Sequence, residues 1–339
     1  MRKILVILAC GIMLLSCKEK TTQKTEAVNY LDEAFIEVLD QELNGILDSK
    51  QKLEILSEGH DWTEGPLWLE SENKLLFSDI PRNTVYAWSR KTGVEEYLKP
   101  SGYTGKDVEL SKQGSNGLLL NANGELVLCQ HGARQVAKMN SPLSSPKPEY
   151  IALADNYSGQ KFNSPNDAVF DSRGNLYFTD PPYGLPKGME DTGKELDFQG
   201  VFRLDTEGNF QVISKALSRP NGIGFSPGEK LLYVANSDPE KAMWMVYEIG
   251  DSGEVHSEKQ FFDVTHLVAS EKGLPDGLKV NDKGYVFATG PGGVFIFNPN
   301  GKHLGTIKTG QATSNCAFNE DKTALFMTAD SYVLKVTLK

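Results

Sequence analysis

The 339-residue chain lacks the residue patterns on which several common catalytic chemistries depend. It has four cysteines and no CxxC pair, which removes a thiol redox centre and a cysteine-rich zinc knuckle. It has no HExxH segment and no GxSxG elbow, the arrangements that build a zinc peptidase helix and a serine nucleophile turn. The glycines and lysine of Gly222–Lys230 are not followed by the hydroxyl that a phosphate-cradling loop requires. Basic charge is also short, with 35 Lys and Arg against 45 Asp and Glu, so the electrostatic basis for binding nucleic acid is missing. Of five histidines, His60, His256, His266 and His303 are scattered and read as surface or structural residues. What remains is ordinary for a folded domain: 39% hydrophobic and 24% charged residues, enough for a sizeable core.

Residues 1–16 stand apart. Arg2 and Lys3 precede an apolar run from Ile4 to Leu15, too short to span a bilayer and patterned as a signal peptide. Leu14-Leu15-Ser16-Cys17 looks like a bacterial lipobox, which predicts cleavage before Cys17, a lipid on its thiol and a location in the bacterial cell envelope. Removing Arg2 and Lys3 takes the net charge from −10 to −12. Residues 17–28 are polar and read as a flexible tether. Cys129 and Cys316 are then the remaining thiols. Their spacing leaves one disulfide or two buried thiols open, and burial is the expectation.

Residues 29–50 carry Leu31, Phe35, Leu39, Leu43 and Ile46 at intervals of three and four, which predicts a short amphipathic helix. From residue 51 to 339 the pattern changes to short apolar strands separated by Gly, Asn, Asp and Pro. This stretch repeats. Glu64-Gly65-Pro66, Ser115-Asn116-Gly117, Pro165-Asn166-Asp167, Pro220-Asn221-Gly222, Pro275-Asp276-Gly277 and Ser314-Asn315-Cys316 each open a unit, and a turn and a second apolar strand follow most of them. Units of roughly 40 to 55 residues match four-stranded propeller blades, so the fold class is all-β, a six-bladed β-propeller with a short N-terminal helix. The last strand, Tyr332–Leu338, is expected to pair with Leu53–Leu56 and close the ring.

One Asn-Gly or Asp-Gly is usually a turn. Six oxygen-bearing side chains at one phase of six blades instead converge on the axis. Glu64, Asn166, Asn221 and Asp276 then bring two carboxylates and two amide oxygens to one point, a donor set suited to calcium, magnesium or manganese.

At these same residues the chain resembles the senescence-marker/gluconolactonase (regucalcin-like) family, in its bacterial gluconolactonase-type branch. The matching stretches include Thr63-Glu64-Gly65-Pro66, Cys129-Gln130-His131-Gly132-Ala133-Arg134, Ser164-Pro165-Asn166-Asp167, Thr179-Asp180-Pro181-Pro182-Tyr183-Gly184, Arg219-Pro220-Asn221-Gly222 and Pro275-Asp276-Gly277-Leu278. The resemblance implies hydrolysis of a sugar lactone or related ester with one divalent cation, calcium foremost and magnesium, manganese or zinc as alternatives. It makes Glu64, Asn221 and Asp276 metal ligands and Asn166 a ligand or a substrate contact. Asp276 is also assigned as the base that takes a proton from the attacking water, and Asn116 and His131 are set near the substrate. The partners expected are a small lactone and, through Cys17, a membrane; no nucleic acid is expected, and the protein is expected to be a monomer. Asp180–Gly200, with Tyr183, Met189 and Phe198, reads as a substrate lid or an ordinary surface loop. The competing function is a non-catalytic, calcium-containing propeller that presents its loops to a carbohydrate or protein; phosphotriester or strictosidine-type catalysis ranks below both.

Overall fold

The computed structural model describes residues 28–339. The segment expected to be a signal peptide, the expected lipidation site at Cys17 and nearly all of the expected tether lie outside the described residues.

Six antiparallel four-stranded units run around one axis. Blade I comprises Thr63–Leu69, Lys74–Asp79, Thr84–Ser89 and Gly93–Leu98, and blade II Ser115–Leu120, Leu126–Gln130, Gln135–Met139 and Tyr150–Ala154. Blade III follows with Ala168–Phe170, Leu176–Asp180, Gly200–Leu204 and Phe210–Ser214, and blade IV with Pro220–Phe225, Leu231–Asp238, Lys241–Ile249 and Val255–Asp263. Blade V is built from Leu278–Val280, Val286–Gly290, Gly293–Phe297 and His303–Lys308. Blade VI takes Thr313–Phe318, Ala324–Ala329 and Tyr332–Thr337 from the end of the chain and Glu54–Ser57 from its beginning, with Glu54 opposite Lys335 and Ile55 opposite Leu334. This is the expected closure, which joins the two ends of the chain within one blade.

The apolar core is divided among the blade interfaces. Leu76 and Leu98 of blade I meet Leu118 and Leu128 of blade II; Val127 and Cys129 meet Phe178 and Phe202; Tyr177 and Val201 meet Ile223 and Val234. Trp244 packs with Phe295 and Phe297, Phe287 and Ile296 with Cys316 and Met327, and Phe326 with Phe77 and Trp88, closing the circle. Each such fully buried side chain contributes about 1.5–3 kcal/mol, and the contribution depends on the neighbouring blade being in place. Cys129 and Cys316 are both buried and unpaired, as expected.

Hydroxyls stitch the inner strands together. Ser78 donates to the Asn116 carbonyl at 2.9 Å, Thr179 to that of Asn221 at 2.7 Å, Ser237 to that of Pro275, Thr289 to that of Ser314 at 2.9 Å, and Ser314 to that of Thr63 at 2.7 Å. Between blades II and III the Gly117 amide donates to the Asn166 carbonyl at 2.8 Å. Thr179→Val keeps the shape and removes one donor, leaving the buried Asn221 carbonyl without its hydroxyl. The expected loss is about 1–2 kcal/mol of stability, read by denaturant unfolding.

The N-terminal segment corrects the sequence expectation. Residues 29–50 form no amphipathic helix: Phe35–Val38 is a strand that adds to the outer edge of blade V, and Gln41–Gly45 is one 3-10 turn capped by the Asp40 side chain. The blade edge explains the difference, because its unpaired backbone groups accept a strand containing the β-branched Ile36 and Val38. Leu31, Leu43, Ile46 and Leu47 are buried as a core stripe, whereas Phe35 and Leu39, which shared the helical spacing, are exposed.

Candidate functional site

The six repeat-opening residues sit at the start of the innermost strands or just before them, at one end of the axis. Five of them, Glu64, Asn116, Asn166, Asn221 and Asp276, line a cavity of about 580 Å³ together with His131 and Tyr183. Glu64, Asn116, His131, Asn166 and Asn221 are each no more than 3% exposed, so these polar groups are held away from bulk water. Trp62, Ile80, Pro81, Val268 and Leu274 make an apolar mouth. Every residue assigned to the site from sequence within the described part of the chain is brought to this one cavity.

The local sequence explains the placement. The Asn-Gly, Glu-Gly and Asp-Gly pairs are not hairpin turns. The inner strands instead bulge there, with register shifts between Glu64 and Leu67, Ser115 and Leu118, and Pro220 and Ile223. The glycine lies flat against the next blade: a Cβ on Gly65 would stand 2.1 Å from the Asn116 carbonyl oxygen, and one on Gly222 would stand 2.2 Å from that of Asp276. Side chains at the ends of the second strands fix the entering loops. Asp79 accepts from the amides of Asp61 and Trp62, Asp180 from those of Asn163 and Ser164 at 2.8 Å each, and Asn236 from that of Arg219 at 2.9 Å.

Buried oxygens within the cavity wall lack donors. Asn116 Oδ1, Asn221 Oδ1 and Asp276 Oδ1 have no hydrogen-bond partner, and neither does His131 Nε2. The Asn221 amide is turned by its Nδ2 donating to Ser237 Oγ at 2.9 Å, which leaves its oxygen facing inward without a partner. Orphan acceptors beside two carboxylates are costly alone and suit a hard cation. Among the described residues no group of three His, Cys, Asp or Glu side chains could hold a metal, so carboxylates alone do not make the site and the amide oxygens would complete it.

The electrostatics point the same way. Burial first, and then the nearby Asp167 carboxylate, push Glu64 up to about 7, against the opposing pull of the Gly65 amide, Asn315 and Lys279. Burial and the charges of Glu64 and Asp167 raise Asp276 well above the usual carboxylate range. Burial pushes His131 down to about 4, leaving a neutral imidazole with a free Nε2.

Sequence reasoning gave no individual role to four participants. Asn315 contributes a hydrogen bond toward Glu64; its place in the repeat was the available signal. Ser237 orients Asn221, while Asp167 and Lys279 form an ion pair at 3.7 Å. Of the three residues proposed for a lid, Tyr183 lines the cavity, Phe198 packs into the core between blades II and III, and Met189 is exposed.

A second polar row does not make a site. Ser57 Oγ lies 2.6 Å from His60 Nε2, and His60 Nδ1 lies 3.5 Å from Asp79 Oδ2. His60 is held between Phe77 and Tyr86, and neither it nor Ser57 lines the axial cavity. The row joins the closing strand of blade VI to blade I and acts as a fastener at the seam.

Comparison with known proteins follows the same outline. Residues 62–331 match the family model described as the SMP-30/Gluconolactonase/LRE-like region. A gluconolactonase of Zymomonas mobilis is 39% identical over 88% of this chain and 84% of its own length. A solved gluconolactonase structure from Xanthomonas campestris superposes with a TM-score of 0.79 at 28% identity, covering 92% of this chain and 98% of that one. A calcium-binding regucalcin from Agrobacterium tumefaciens shares the fold at a TM-score of 0.64 and 15% identity, over 84% of this chain and 94% of its own. With the propeller, the axial cluster and a match running from Trp62 to Ser331, the chain belongs to the SMP-30/gluconolactonase/LRE-like family.

Proposed function

We propose that the protein hydrolyses a lactone, a cyclic ester of the sugar-acid type or a close relative, with one divalent cation held by Glu64, Asn166, Asn221 and Asp276. The observation that carries this reading is the set of orphan acceptor oxygens on Asn116, Asn221 and Asp276 beside the buried Glu64 carboxylate, at the point where the inner strands converge. The likeness to a gluconolactonase along most of both chains supports the substrate class. When bound, the cation would supply Lewis-acid polarisation of the ester carbonyl.

The remaining steps fall to the chain's own groups. Asp276 accepts the proton of a water attacking the ester carbon. Opening the ring breaks the bond to the ring oxygen, and the same proton is available to the alkoxide released. Asn116 Oδ1 accepts from a substrate hydroxyl, and the neutral His131 contributes Nε2 as a further polar contact. Tyr183, Trp62 and Leu274 cover the apolar side of the ring and hold bulk water off. The absence of lysine and arginine from the cavity wall favours an uncharged lactone.

The test is a substrate panel with the purified protein: gluconolactone, other sugar and alkyl lactones, linear esters and a phosphotriester. Turnover confined to lactones is expected. Tight cation binding with no turnover of any ester would instead favour the non-catalytic binding propeller. Lipid anchoring at Cys17 and an envelope location belong to the same proposal; they are tested by mass measurement of the mature N-terminus.

The raised Glu64 carboxyl gives a pH dependence. In the cation-free protein the folded state keeps a proton between about pH 4.5 and 7 that the unfolded chain has released, so stability falls as pH rises through this window. Cation binding requires the deprotonated form, so the stabilisation added by the cation grows over the same range. Thermal unfolding from pH 5 to 8, with chelator and with excess calcium, should show the two curves diverging.

A further inference from the structure

Two residues break the repeat pattern at the axis. The position after each repeat-opening residue is Gly65, Gly117, Asp167, Gly222, Gly277 or Cys316, so blade III alone carries a charge there. Three residues after each opening stand Leu67, Leu119, Val169, Gly224, Lys279 and Phe318, so blade V alone carries a charge at that phase. These two exceptions meet: Lys279 Nζ lies 3.7 Å from Asp167 Oδ2 and 3.5 Å from Asn315 Oδ1. Asp167 is 4% exposed, its Oδ1 accepts from the Ala168 amide at 2.9 Å, and its Oδ2 has no hydrogen-bond donor. Both residues line a second cavity of about 680 Å³, which otherwise has a largely apolar wall including Leu67, Leu119, Val169 and Phe318.

The chain ties the pair to the cation site, since Asp167 directly follows Asn166 and Lys279 stands three residues after Asp276. Asp167 acts on both Glu64 and Asp276, and Lys279 acts on Glu64. Glu64 and Asp276 on the axial cavity and Asp167 on the second cavity therefore form one group of three carboxylates, and Lys279 pairs with that group through Asp167. We infer that Lys279 and Asp167 form a built-in counter-ion pair that sets the charge of that group, and so its cation affinity and its limit of one divalent ion. Three negative charges are balanced by one ammonium and one divalent cation. The two residues act through the ligands as positioning residues and do not touch substrate.

This inference rests on the proposed cation site, and its test separates the two. Calcium affinity is measured by calorimetry on the full chain for the wild type, Lys279→Met, Asp167→Asn and the double variant. Removing the ammonium leaves excess negative charge and should tighten calcium binding about tenfold; removing the carboxylate leaves excess positive charge and should weaken it about tenfold. The double variant should return close to the wild-type value, and Lys279→Arg should keep it. Lys279→Met should also lower the unfolding midpoint in chelator, and excess calcium should restore it. Both single variants weakening calcium binding would mean a packing role only and would overturn the inference. A wild type that binds no calcium, magnesium or manganese would instead overturn the cation site itself.

Discussion

Asp276→Asn is expected to lower kcat for lactone hydrolysis about a thousandfold while raising the unfolding midpoint of the chelated protein. The two effects have one cause. Asp276 stands beside Glu64 and Asp167, and burial together with the charges of these two carboxylates makes it costly to ionise. Asparagine keeps the volume and one acceptor oxygen but removes the charge proposed to take the water's proton and to help hold the cation. Without cation, the repulsion is relieved and the fold gains; with cation, a ligand charge is lost. Turnover assays and thermal unfolding in chelator, run on one preparation, read both. Loss of activity together with loss of chelated stability would point to a structural role for Asp276, and unchanged turnover would remove it as the base.

Gly65→Ala should be among the most damaging single-methyl changes, costing on the order of 3 kcal/mol or more. Gly65 has φ of +52°, in the left-handed region that a Cβ disfavours, and the added atom would stand 2.1 Å from the Asn116 carbonyl oxygen. Neither strain can be relieved alone. Moving the strand of blade I displaces Glu64, and moving that of blade II displaces Asn116, so cation affinity should fall together with stability. Gly124→Ala provides the comparison: that glycine also has positive φ but no atom within 4 Å of its Cβ position, so only the conformational part should appear. Chemical denaturation of the two variants checks the difference; equal losses would contradict the account of close inter-blade approach.

The blades, the closing strand and the axial residues were legible in the sequence because each repeats, or completes something that repeats. Glu64, Asn116, Asn166, Asn221, Asp276 and Asn315 share one phase, and a ring converts shared phase into convergence. The Gly after four of them was visible as well, but its meaning was not. Asn-Gly has the same local signature in a turn and in a bulged strand, and only the backbone of the next blade decides between them. The Asp167–Lys279 pair was hidden for the opposite reason: 112 positions separate its members in the chain, and each is an exception to its own repeat. Residues 29–50 were misread as helical because Leu31, Leu43 and Ile46 are buried at helical intervals, whereas the edge of blade V supplied strand partners for Phe35–Val38. The lid reading was divided by packing, since Phe198 is drawn into the core and Tyr183 is left at the cavity.

The central claim is that one cation, held on the axis by Glu64, Asn166, Asn221 and Asp276, is required for turnover. The most direct measurement strips the purified protein with chelator, then titrates calcium back while recording bound ion and gluconolactone hydrolysis together, with magnesium, manganese and zinc in parallel. One ion per chain restoring activity in proportion to occupancy is the predicted result; full hydrolysis by the stripped protein, with no ion bound, would contradict it.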